Sequence, residues 1–235
     1  MSRIVPYSAM MQAMGTLYLV RHGQASFGAA DYDQLSALGR EQCVCLGRYW
    51  QQRGITFEAV LTGSLKRHQQ SLAGIAEGLG ASYQSLVWPE LNEYDSEALV
   101  QAIHPEPLAR PDSPELYRHH LRLLRDGLKA WMRGDTQPRG MISYAEFSAG
   151  VTAALDHVLK NYSGTVLIVS SGGPISTAVG QVLSTPAETT IELNLRIRNS
   201  SVTEFAFTPK RHMLVSYNNL PHLDSEQGLA MVTCA

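Results

Sequence analysis

The chain has 235 residues, 44% of them hydrophobic, which is enough to bury a large core, and 19 Lys and Arg stand against 21 Asp and Glu for a formal charge of -2. That balance excludes a broad basic face for nucleic acid, so any anion must be gripped by a local cluster. No stretch approaches the ~18 uninterrupted apolar residues of a membrane helix, and the cysteines, with Cys43 and Cys45 crowded together and Cys234 nearly terminal, argue for reduced thiols in the cytoplasm and against a disulfide framework or metal set.

Residues 1–15 carry Arg3 but no apolar core of secretory length, and Met10, Met11 and Met14 precede the first strand pattern, so this stretch reads as a disordered extension. Residues 16–20 (TLYLV) then form a buried strand pattern that runs directly into Arg21-His22-Gly23. In an open α/β sheet, ligands sit at the carboxyl ends of strands. An arginine offers phosphate a fixed fork of donors, and a histidine can carry a transferred phosphoryl group. The loop 24–32 is rich in small residues and suited to fold over a ligand. A helix follows from the cap Ser36, with Cys43, Leu46, Gly47 and Trp50 on its buried face and Gly54 closing it.

Residues 57–62 (FEAVLT) form a second strand pattern, leading through Gly63-Ser64 into a helix with Arg67 in its first turn and Leu72, Ile75, Ala76 and Leu79 as its stripe. Residues 83–88 read as a short strand, followed by Pro89-Glu90-Leu91-Asn92-Glu93-Tyr94-Asp95. Between 96 and 140 the composition shifts. Ser113 and Pro114 start a helix lined by Tyr117, Leu121, Leu124, Leu128 and Trp131, which fits a lid over the site or, equally, a plain crossover helix. In that segment Arg110, His119 and Arg122 are candidates to meet a second acidic group, or are simply solvated.

Ser143 and Glu146 form a capping box for the next helix. Residues 165–169 (TVLIV) are strongly strand-like and open into Ser170-Ser171-Gly172-Gly173-Pro174 at a helix start, where unpaired N–H groups and small side chains favour an anion. The alternation Ile191, Leu193, Leu195, Ile197 predicts a strand, 202–208 and 213–217 a hairpin, and the tail from Asn218 a polar loop. Strands alternating with helices argue for a three-layer α/β/α sandwich on a mostly parallel sheet.

The run Leu19-Val20-Arg21-His22-Gly23-Gln24-Ala25-Ser26-Phe27 resembles the signature of the histidine phosphatase superfamily, the phosphoglycerate mutase-like proteins. The resemblance implies one phosphoglycerate mutase-like domain over 16–223, with a lid insertion at 96–140 and a tail at 224–235. It implies His22 as the phosphorylated nucleophile and Arg21 as a phosphate contact. Gly63-Ser64-Leu65-Lys66-Arg67 is similar to the motif of the second arginine, with Gly63 in place of the usual serine. Pro89-Glu90-Leu91 points to Glu93 as proton donor, with Asp95 in reserve. Where the family carries a second histidine before Gly-Gly, this chain has Ser171, which keeps a hydroxyl beside Gly172 but removes an imidazole, a loss of the kind that costs ~2.7–4 kcal/mol of transition-state stabilisation. Gly28 stands where relatives often have asparagine, with Ser26 as the stand-in. His68, directly after Arg67, and His222, after the last strand, are the possible substitute histidines; for both, a surface or structural role is the plainer reading.

The implied activity is hydrolysis of a small phosphomonoester through a phosphohistidine, with neither metal nor organic cofactor and with a small phosphorylated substrate or inorganic phosphate as partner. The alternatives are an inactive phosphate sensor or interaction scaffold, and mutase-type phosphoryl transfer.

Overall fold

The structure, a computed structural model, describes residues 14–26, 33–108 and 112–234. Residues 1–13 of the expected extension, most of the loop at 24–32 including Gly28, and Arg110 lie outside the described residues. No described helix is long and apolar enough to cross a membrane.

Strands β1 (Gly15–Arg21), β2 (Ala59–Thr62), β3 (Leu86–Val87), β4 (Thr165–Ser170), β5 (Val202–Thr208) and β6 (Arg211–Asn219) make one sheet in the order β3-β2-β4-β1-β5-β6. The pairs β2/β3, β2/β4 and β1/β4 are parallel, and β5 and β6 close one edge antiparallel. Helices α1 (Ala37–Gln51), α2 (Lys66–Leu79), α3 (Ser96–Gln101), α4 (Pro114–Arg133), α5 (Tyr144–Asn161), α6 (Gly172–Leu183), α7 (Ala187–Arg196) and α8 (Glu226–Leu229) complete the chain.

The central strands are buried on both faces, which is why they read as unbroken apolar runs rather than alternating ones. Leu17, Leu19, Val166 and Ile168 face a core built with α4, α5 and α6. The interleaved Val20, Leu167 and Val169 face a second core with Cys43, Leu46 and Trp50 of α1 and Leu72 and Ile75 of α2. The result is a three-layer α/β/α sandwich on a mostly parallel sheet. Ser36 and Ser113 cap α1 and α4 as their positions predict, and the Ser143–Glu146 capping box forms.

Three expectations need correcting. The segment with alternating Ile191, Leu193, Leu195 and Ile197 is not a strand: α7 starts after Pro186, and its buried residues are the adjacent Thr190 and Ile191, so one side of a helix packs and the period-two match is incidental. The strand expected over 83–88 shrinks to two residues, both exposed. The tail from Asn218 is not a plain loop: Asn218 and Asn219 finish β6, α8 follows, and the chain returns to pair Arg198 with Cys234.

Candidate active site

The parallel register sets Arg21 beside Ser170 and Thr62 beside Val169, so β2, β4 and β1 end level with one another. The His22 N–H donates to Ser170 O at 2.9 Å and the Gly63 N–H to Val169 O at 3.2 Å, extending the ladder one step past each strand. Gly23 is required by the close approach of α1: a Cβ there would lie 2.2 Å from the Gly39 carbonyl oxygen. Its N–H donates to Ser71 Oγ, which donates to Arg67 O, tying the first motif to the helix that carries the second arginine.

Arg21, His22, Arg67 and Glu93 line one cavity of about 480 Å³. His22 is only 4% exposed, and its Nδ1 lies 2.7 Å from Gly23 O. A carbonyl can only accept, so Nδ1 carries the proton and Nε2 keeps its lone pair. Burial, then the cations Arg21 and Arg67, hold the His22 pKa well below its usual value, so the ring is neutral. Arg67 is fixed by an ion pair from Nη1 to Asp33 Oδ1 at 2.9 Å, and the same carboxylate accepts from the Lys66 N–H at the start of α2. Arg21 donates to Ile197 O.

Glu93 accepts from the Gly173 N–H at 3.0 Å and from its neighbour Tyr94 N–H at 3.3 Å. Burial raises its pKa more than these bonds and the two arginines lower it. The first turn of α6, expected to present its N–H groups to an anion, therefore spends the one on Gly173 holding the acid. Asp95, the reserve acid, instead caps α3 through the N–H groups of Glu97 and Ala98.

Ser171 and His68 are both fully buried, and His68 Nε2 lies 2.7 Å from Ser171 Oγ. The His68 ring centroid is 5.8 Å from that of His22. A Cβ on Gly63 would sit 2.3 Å from His68 Nδ1, so a glycine there is what admits this ring. Burial, then Arg67, lowers the His68 pKa to about 3. The other spare histidine, His222, binds Ser200 Oγ at 2.9 Å behind the backbone of His22, and it does not line the cavity.

Among the residues the sequence pattern did not single out, Asp33 orients Arg67, and Tyr94 lines the cavity and accepts from Asn194 Nδ2. Asn92, adjacent to Glu93, accepts from the Ser64 N–H at 2.8 Å and holds the loop after β2. Cys234 comes back from the far end of the chain to the cavity wall. His119 and Arg122 do not line the cavity. Among the described residues no group of His, Cys, Asp or Glu could hold a metal ion.

The family model of the histidine phosphatase superfamily (branch 1) matches residues 17–220, and the chain belongs to that family. Its structure is similar to an H9A mutant of phosphoserine phosphatase from Entamoeba histolytica in complex with phosphoserine, at 18% identity and a TM-score of 0.63 over 89% of this chain and 100% of that one. It is also similar to a putative alpha-ribazole-5'-P phosphatase from Escherichia coli, at 21% identity and a TM-score of 0.61 over 88% and 97% of the two chains. Phosphoglycerate mutase from Bacillus anthracis matches at 19% identity and a TM-score of 0.61 over 92% and 97%. No curated protein matches the chain by sequence.

Proposed function

We propose that the protein hydrolyses phosphomonoesters through a phosphohistidine at His22. The observation that carries this is the cavity that gathers Arg21, His22, Arg67 and Glu93, with His22 held as the neutral tautomer whose Nε2 is nucleophilic. In the first step the Nε2 lone pair attacks phosphorus and the ester P–O bond breaks. The leaving oxygen takes the proton of Glu93, whose burial favours the protonated acid. In the second step water attacks the phosphohistidine and gives its proton back to Glu93. The P–N bond breaks, its electron pair returns to Nε2, and inorganic phosphate leaves. The two guanidiniums neutralise the charge on the non-transferring oxygens throughout. The phosphatase names carried by several structural relatives support hydrolysis over mutase chemistry.

The test is to mix enzyme and a ³²P-labelled phosphomonoester, quench in alkali and map the label. An alkali-stable, acid-labile phosphoryl group on residue 22 is the expected result; label elsewhere, or none during turnover, overturns the scheme.

Where the resemblance implies a second histidine, this chain has the buried pair His68–Ser171. His68 Nδ1 has no hydrogen-bond partner, so a proton there would be a buried donor left unmade, whereas a proton on Nε2 is donated to Ser171 Oγ. That assignment leaves the pair enclosed: Ser171 and His68 are fully buried and neither lines the cavity. The pair is neutral, since the low pKa of His68 keeps the ring uncharged. Ser171→Ala is therefore expected to leave His68 Nε2 a buried group without its partner and to destabilise the fold by about 1–3 kcal/mol, read as a lower midpoint in denaturant unfolding, with kcat little changed; an unchanged midpoint would show that the pair has no structural role.

A further inference from the structure

The apolar stripe of α4 changes partners halfway along. Leu128 and Trp131 are buried in the core, but Tyr117, one and two turns further toward the N-terminus than Leu121 and Leu124, is 45% exposed. Leu121 and Leu124 are half-buried, Leu124 against the core, and Ser96 is exposed. With Tyr117 they wall the catalytic cavity and, at the same time, a second hollow of about 650 Å³ between α3 and α4. The two spaces thus adjoin along four shared residues, and the passage runs from the phosphate grip outward over leucine and tyrosine side chains.

The charges along this route are one-sided. Among the described residues, the cations lining the inner cavity are Arg21 and Arg67, and the outer hollow carries the carboxylates Glu97 and Glu106 beside His104 and His120 but no lysine or arginine. A leaving group bearing its own carboxylate or phosphate would meet these two like charges there. An uncharged apolar body would instead cover surface that the fold leaves open.

We infer that the hollow between α3 and α4 is a leaving-group subsite for a long alkyl or aryl chain, making the preferred substrate an apolar phosphomonoester rather than a phosphorylated acid. The subsite presupposes that the cavity takes a phosphomonoester, so its test uses binding instead of turnover. Methyl-, butyl- and octylphosphonate, together with 2-carboxyethylphosphonate, would be titrated into the protein by calorimetry. Affinity should climb by up to about fourfold for each methylene added (~0.8 kcal/mol for each buried CH₂), and the carboxylate analogue should bind more weakly than butylphosphonate. Tyr117→Asp, a change at an exposed helix position, should erase the gain from butyl to octyl. If methylphosphonate binds and octylphosphonate binds no tighter, or if the carboxylate analogue is preferred, the subsite is refuted and the phosphate site stands. Failure of every phosphonate to bind would refute the anion pocket itself, and the proposed hydrolysis with it.

Discussion

His22→Ala is expected to lose roughly 10⁴- to 10⁶-fold in kcat, the scale on which removal of an enzymic nucleophile is felt, and to form no phosphoenzyme. The loss should fall on kcat and not on ground-state binding. Arg21 and Arg67 still present their guanidiniums to the phosphate, and Asp33 still holds Arg67. The variant should also fold: the imidazole makes one side-chain hydrogen bond, to Gly23 O, worth about 0.5–1.5 kcal/mol. Steady-state kinetics with p-nitrophenyl phosphate, beside calorimetry with inorganic phosphate, separates the two quantities. Equal kcat in variant and wild type would remove His22 from the chemistry. Phosphate binding without turnover in the wild type as well would favour a phosphate sensor.

That Arg21, His22 and Arg67 meet at one cavity is legible in sequence because each follows a place where a strand must end. The unbroken run Leu17-Tyr18-Leu19-Val20 before Arg21 reads as a doubly buried strand, and the carboxyl end of such a strand is a ligand edge whatever the family. The same holds for Gly63 after β2 and Ser171 after β4. What links these edges sideways was not legible. Asp33 reaches Arg67 from a loop with no periodic signal, and Cys234 arrives from the far end of the chain. After Pro186, hydrophobic alternation over seven residues fits a strand, yet the segment is the helix α7, in which Ile191 is buried in the core and Leu195 both packs against the core and lines the cavity. His68 is the instructive case. Gly63 leaves room for the His68 ring, and the ring meets Ser171 Oγ at 2.7 Å. That contact joins residues 103 positions apart, so no local pattern in the sequence could show it.

Glu93→Gln separates acid catalysis from phosphate binding, because glutamine keeps the shape and an acceptor for the Gly173 N–H but cannot deliver a proton. With an alkyl phosphate, whose leaving oxygen departs as a strong base unless protonated, kcat/KM should fall by about 10²–10⁴-fold. With p-nitrophenyl phosphate, whose leaving group needs no proton, the first step should be nearly unaffected, and the second should slow for want of a base to accept the proton of water. The expected signature is a burst of one equivalent of p-nitrophenol followed by a slow steady state. The pH profile for the alkyl ester follows from the two shifted groups. The depressed pKa of His22 makes the nucleophile available well into the acid range, so activity rises as pH climbs through that low value. The raised pKa of Glu93 keeps the acid protonated to higher pH than an ordinary glutamate, so activity declines only as pH passes through that value. Glu93→Gln should abolish the declining limb and leave the rising one in place. If the variant retains the decline, the titrating acid is another group; if the alkyl and p-nitrophenyl esters lose activity equally, Glu93 positions the phosphate and does not transfer the proton.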